Sequence, residues 1–180
     1  MIDIVSANKL KRNPLSYSLW LIPDGKLFLE LQSIIHNLSS AFEGIRFIPH
    51  VTLLSGFQDK ESILLNRTEA FVKHISTFNV NLKEIEFSDE FFRTFFIKVD
   101  FDSDFKKARE IACSEFLCND DNFIPHLSLA YGLKELSLKK NIKKNIKNNF
   151  KKFRVDKIYL AYNDEINYKW KVIQQFSILK

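Results

Sequence analysis

Glycine and proline are scarce in this chain, with four of each in 180 residues, and cysteine is scarcer still, with two. So few breakers exclude collagen-like repeats, extended Pro/Gly linkers and low-complexity disorder, and they predict a chain ordered nearly throughout. Cys113 and Cys118 are too few for a four-cysteine metal site. Five apart in a helical stretch, they face different sides and read as reduced, buried or half-buried thiols. Long apolar runs are also missing. Met1 to Pro14 carries scattered charges where a secretory leader would be apolar, and no later stretch could span a bilayer. The expectation is a soluble, intracellular (cytoplasmic) protein with no membrane partner, acting as a monomer.

What is abundant is apolar and aromatic. Hydrophobic residues make up 46% of the chain, and 18 of its residues are phenylalanine, enough for one substantial core and short for two. Residues 1–180 therefore read as a single unit. The net charge of +5 is uneven: residues 134–157 hold ten Lys/Arg against Glu135 and Asp156, leaving seventeen basic against twenty acidic residues elsewhere. Such a segment can attract the phosphates of an RNA backbone. Leu138, Ile142 and Ile146 recur every four residues within it, however, and this is the pattern of a surface helix with a solvated lysine face.

Periodicity predicts strands over Tyr17 to Ile22, Phe47 to Leu54, Val80 to Phe87, Phe95 to Phe101, Ile124 to Ala130, Arg154 to Tyr162 and Trp170 to Ile178. Helical patterns cover Lys26 to Ser40, with Asp24 as its N-cap, then Lys60 to Ser76, Asp104 to Leu117 and the lysine-rich stretch. Strands and helices mix without regular βαβ alternation, so the predicted class is α+β with largely antiparallel sheets.

Two segments match over ten positions. Residues 47–56 read FIPHVTLLSG and residues 123–132 read FIPHLSLAYG. Composition alone predicts about 0.1 Pro-His pairs in such a chain, so chance is a poor explanation of two in the same context. Side chains alternate along a strand, so His50 and Thr52 share one face and Val51 and Leu53 the other. His126 and Ser128 likewise oppose Leu127 and Leu129. Proline suits a strand entrance, where no ladder donor is needed. Two alike halves can pack about an approximate two-fold axis and bring the two histidine–hydroxyl faces across one cleft. There a neutral imidazole can take a proton from water attacking phosphorus while a protonated one gives its proton to the leaving oxygen. Thr52 and Ser128 would donate to the non-bridging oxygens. His36 and His74 have no matching partner and read as structural. Two histidines without a third Cys or acidic ligand make a poor zinc site, so no metal or cofactor is expected.

The paired His-x-(Thr/Ser) motifs, 76 residues apart, resemble the signature of the two-histidine (2H) phosphoesterase superfamily. Tyr17-Ser-Leu-Trp-Leu-Ile-Pro-Asp24, the run Phe91-Phe92-Arg93-Thr94-Phe95-Phe96 and the closing strand around Trp170 are similar to the cyclic phosphodiesterase branch of plants and fungi. The resemblance implies a bilobal α+β fold with pseudo-two-fold symmetry, each lobe an antiparallel sheet backed by helices, and an active-site cleft between them. It implies hydrolysis of ADP-ribose 1″,2″-cyclic phosphate and nucleoside 2′,3′-cyclic phosphates to the 1″- or 2′-phosphate, as in turnover of tRNA-splicing by-products. His50, Thr52, His126 and Ser128 match the family's catalytic quartet, and Tyr131 matches its tyrosine five residues beyond the second histidine. Strict alternation puts Tyr131 on the face opposite His126, so it reaches the cleft only if the strand ends before Gly132. Trp20 and Phe92 are the aromatic residues the resemblance offers for stacking on a base, against a reading of both as core. Within the superfamily the same residues also suit a 2′,5′-oligoadenylate phosphodiesterase, an RNA end-trimming exonuclease or an RNA 2′,3′-cyclic phosphodiesterase. A silent RNA-binding module using residues 134–157 is the alternative outside enzymes.

Overall fold

A computed structural model describes residues 15–42, 44–118, 123–146 and 149–179. The readings of Met1 to Pro14 and of Lys147 lie outside the described residues. In chain order come β1 (Leu15–Leu21), α1 (Gly25–Ser39), β2 (Val51–Phe57), α2 (Glu61–Lys73), β3 (Phe78–Phe87), a 3-10 turn (Phe91–Arg93), β4 (Phe95–Val99), α3 (Ser103–Phe116), β5 (His126–Ala130), α4 (Leu136–Asn145), β6 (Lys152–Val155), β7 (Lys157–Asp164) and β8 (Lys169–Ser177). The α+β class is as expected.

All described strand pairings are antiparallel, in the order β6-β3-β4-β5-β2-β1-β7-β8. The two motif strands, β2 and β5, are therefore the central neighbours, with three further strands on each side. They meet through one registered pair, Val51 with Leu127. Val51, Leu53, Leu127 and Leu129 are all fully buried as alternation requires, while beside them the pattern breaks: Leu54 is buried too, next to a bulge against β1, and Ser128 and Ala130 are also buried. The helices supply the cover: α1 packs on β5, α3 on β2, and α2 on β7 and β8.

Local expectations fail at particular points. Phe47 to His50 lies outside the ladder, because Pro49 has no N–H to give and the Ile48 carbonyl is taken by the His50 ring. Asp24 precedes α1 without a side-chain capping bond, whereas the Asp102 carboxylate caps α3 by accepting from Phe105 N at 3.0 Å. The motif glycines diverge in use. Gly56, at φ 88°, is the extra residue of a bulge against β1, whereas Gly132, at φ 119°, lies just past the end of β5.

Two cations lie in the interior. Arg109 of α3 is 6% exposed; its Nη1 donates to Leu53 O at 2.6 Å, and its guanidinium lies 3.6 Å over the Phe123 ring. It thus ties the first motif's strand to the second motif's leading residue. Lys139 departs from the expected solvated lysine face of α4: it is 1% exposed and donates to Ser88 O at 2.7 Å and Asp89 Oδ1 at 3.0 Å. Ile142 and Ile146 pack against the core as their spacing predicts. Removing the Lys139 ammonium leaves the Ser88 carbonyl with only the long 3.5 Å bond from Thr94 Oγ1, at a cost of about 1–3 kcal/mol. The stability of Lys139→Ala in urea melts should therefore fall by that amount, while Lys140→Ala on the exposed face stays within about 0.5 kcal/mol of the parent; equal effects would refute the assignment.

Candidate active site

The site follows from one register. With Val51 opposite Leu127 in an antiparallel pair, Thr52 falls opposite His126 and Ser128 opposite His50, and all four project from the face away from the buried leucines. The histidines occupy a diagonal, about 7–8 Å apart at the backbone. Their proximity registers electrostatically, since His126 contributes to the lowered pKa of His50. The line continues across the sheet on both sides. Lys98 lies opposite His126, Trp20 opposite Thr52, Tyr159 opposite Trp20, and Phe96 opposite Ser128.

Each imidazole is held in the same way. His50 Nδ1 lies 2.6 Å from Ile48 O, and His126 Nδ1 lies 2.7 Å from Ile124 O. A carbonyl can only accept, so each Nδ1 carries the proton and each neutral ring presents an unprotonated Nε2. Because the acceptors are backbone carbonyls, which every residue carries, no residue type in the sequence marks this bond.

Their surroundings differ. His50 is 9% exposed and stacked on Trp20, with ring centroids 3.7 Å apart and planes 12° from parallel. Burial pushes its pKa down to about 4; the Ile48 bond opposes the shift and His126 adds to it. His126 is half-buried and meets the edge of Phe96 at 5.6 Å. Trp20 itself is 2% exposed. Its indole is therefore not free to stack on a base as the sequence suggested; one face is already against His50.

The hydroxyls differ too. Thr52 is half-buried on the open face. Ser128 is 6% exposed and its Oγ donates to Phe92 O at 3.0 Å. The Tyr131 hydroxyl lies in the surroundings of Ser128, and burial holds it protonated by raising its pKa, a shift that Ser128 opposes. Tyr131 reaches the site by the route alternation required: β5 ends at Ala130 and the chain turns at Gly132, whose N–H donates to Phe91 O at 2.9 Å. Phe92 is half-buried and lies edge-on to Tyr131 at 5.4 Å. Tyr131 in turn stacks on Phe47 at 4.0 Å and packs on Trp170 at 5.5 Å. His36 lines a groove beside Phe47, and His74 ends α2. Among the described residues, no three His, Cys, Asp or Glu side chains converge as a metal site.

Comparison with known proteins matches these features over nearly the whole chain. The family model described as cyclic phosphodiesterase-like protein matches residues 15–180. The cyclic phosphodiesterase of Arabidopsis thaliana is 25% identical over 126 residues, covering 69% of this chain and 70% of that protein. Among solved structures, one described as a phosphoesterase superposes with a TM-score of 0.62 at 11% identity, covering 93% of this chain and all of that one. Escherichia coli LigT, complexed with 3′-AMP, superposes at 0.58 and 11% identity over 93% of this chain and all of LigT. The TT0787 protein of Thermus thermophilus gives 0.57 at 15% identity, over 91% of this chain and 97% of that one. The structural matches establish a shared fold, and no described helix is long and apolar enough to cross a membrane. With the family model spanning both motifs and every described strand, the chain belongs to the cyclic phosphodiesterase-like family and is a phosphodiesterase.

Proposed function

We propose that this phosphodiesterase opens ADP-ribose 1″,2″-cyclic phosphate, nucleoside 2′,3′-cyclic phosphates, or both, to the 1″- or 2′-phosphate without a metal ion. His50 serves as general base and His126 as general acid. The observation that carries the reading is the diagonal pair of imidazoles, each anchored through Nδ1 to a carbonyl two residues back, so that two Nε2 atoms serve one face. In the nucleoside 2′,3′-cyclic case, water attacks phosphorus and His50 Nε2 takes its proton. The P–O3′ bond breaks, and His126 Nε2 protonates the departing O3′. The buried ring under Trp20 suits the base, because its lowered pKa keeps it neutral at pH 7. The half-buried His126 suits the acid.

Thr52 and Ser128 would donate to the non-bridging oxygens. Ser128 must first turn its proton from Phe92 O. Tyr131, held protonated by burial close to Ser128, is a candidate to orient that hydroxyl once it turns. Phe92 stands beside Tyr131 as a candidate contact for the base, and Trp20 acts by holding His50.

Two measurements test this. Turnover of a nucleoside 2′,3′-cyclic phosphate should drop about 10² to 10⁴-fold in His50→Ala and in His126→Ala; near-parental rates in both would sink the mechanism. The acid limb of kcat/KM should lie near pH 4 for the parent and move toward 6.5 in Trp20→Leu, where the shielding indole is gone. A limb already near 6.5 in the parent would remove His50 as the base.

The same shift has a stability consequence. The unfolded histidine, with its pKa near 6.5, binds its proton before the folded one does. The stabilisation of the folded state is thus complete above about pH 6.5 and lost as pH falls toward 4, by on the order of 3 kcal/mol. Urea melts of the parent and His50→Gln should diverge by that amount across the window, and parallel curves would contradict the burial argument.

A further inference from the structure

A groove of about 980 Å³ runs beside the histidine pair, between α1, the chain entering β2 and the β7–β8 hairpin. Its size is that of a ligand pocket. It adjoins the site through Phe47 and Ile48, which line it. The Ile48 carbonyl anchors His50, and the Phe47 ring lies 6.5 Å from the His50 ring. Trp170, also in the wall, packs on Tyr131. Anything filling the groove is therefore a ring's width from the proposed reaction centre.

Its chemistry is cationic and aromatic. Arg46, Lys169 and Lys171 line it together with Trp170, Tyr162 and Tyr168. Arg46 Nε donates to Ser39 Oγ at 3.4 Å, which fixes the guanidinium by its stem side. The carboxylate in the wall, Asp164, accepts from Asn167 Nδ2, Asn167 N and Ile166 N at 2.8–3.1 Å and stands across the β7–β8 ladder from Lys169, which lowers its pKa further, so it opposes Lys169 and leaves Arg46 and Lys171 as the cations of the groove.

The opposite flank contrasts with this. There Lys98 pairs with Glu84 at 2.6 Å, Lys139 with Asp89 at 3.0 Å, Lys143 with Glu86 at 3.6 Å, and Arg93 with Glu90. Among the described residues none of the ion pairs involves Arg46, Lys169 or Lys171. An anion leaving the histidine pair meets Arg46 and Lys171, in no ion pair among the described residues, on one side, and paired cations on the other.

We propose that this groove is an extension subsite. It takes the phosphate-bearing, base-bearing remainder of a substrate whose cyclic phosphate lies between His50 and His126, with Arg46 and Lys171 on the phosphate and Trp170 against the base. The inference rests on the phosphodiesterase reading above. It assigns the anionic extension to the α1/β7–β8 side and not to the lysine-rich α4. Arginine is suited to phosphate by its fork of donors, and an indole face accepts any base.

The test compares kcat/KM at low salt for three substrates: a nucleoside 2′,3′-cyclic phosphate, a dinucleotide ending in a 2′,3′-cyclic phosphate, and ADP-ribose 1″,2″-cyclic phosphate. At least one extended substrate should exceed the mononucleotide about tenfold, with a preference that shrinks as salt rises. In the double variant Arg46→Ala with Lys171→Ala, both exposed positions, the ratio of extended to mononucleotide should fall toward one. Whichever extended substrate carries the preference identifies the source, an RNA end or an ADP-ribose. A parental ratio near one, or a ratio the double variant leaves in place, overturns the subsite while mononucleotide turnover leaves the phosphodiesterase reading standing. No turnover of any of the three overturns both.

Discussion

The pairing of Val51 with Leu127 holds the site together. Each motif strand taken alone presents one imidazole and one hydroxyl on one face, too little to surround a phosphorus. Joining them antiparallel at that pair sets the two histidines on a diagonal, with a hydroxyl across from each, and commits the leucines to the core on the reverse side. A slip of one residue would turn one strand's polar pair into the core and its leucines to solvent. The register is therefore enforced by burial of Leu53, Leu127 and Leu129, and the polar face inherits its geometry from the apolar one. Arg109 reinforces this from beneath, donating to the Leu53 carbonyl and covering Phe123.

A duplicated motif need not give two equal groups. Both rings share the anchor to an isoleucine carbonyl, yet one lies under an indole and the other meets a phenylalanine edge. Desolvation acts on the charged form alone, so the first ring is driven toward neutrality through its neighbour on β1, outside the repeat. Under the proposed mechanism the division of labour between acid and base comes from the strands flanking the motifs, because Trp20 stands on one side only.

The parts that were legible in the sequence rest on short-range rules. Alternation around His50 and His126 assigned Val51, Leu53, Leu127 and Leu129 to the core and left the polar quartet on the other face, because a strand's side-chain period depends only on the backbone. What could not be read depends on partners far along the chain. Trp20 meets His50 because β1 pairs with β2, a contact across thirty residues that leaves no local pattern. Lys139 looks like any other lysine of a basic helix until the Ser88 carbonyl is placed above it. Tyr131 stood on the wrong side of an ideal strand, and only the end of β5 before Gly132 gives it Ser128.

Charge is distributed with the same asymmetry. By count, residues 134–157 hold the chain's positive excess, and counting alone points to α4 as the surface for an anion. Pairing reverses this. Lys139 and Lys143 of α4 face Asp89 and Glu86, so that part of the excess neutralises a local acidic cluster around the 3-10 turn. Arg46 lies more than a hundred residues from Lys171 in sequence, yet the two gather at one groove whose carboxylate, Asp164, is met by the hairpin N–H groups and by Lys169. At ionic strengths where fields fade within about 10 Å, an approaching phosphate responds to the cations at hand that are not yet engaged, so spatial assembly, and not sequence density, decides which side of the histidine pair is electropositive.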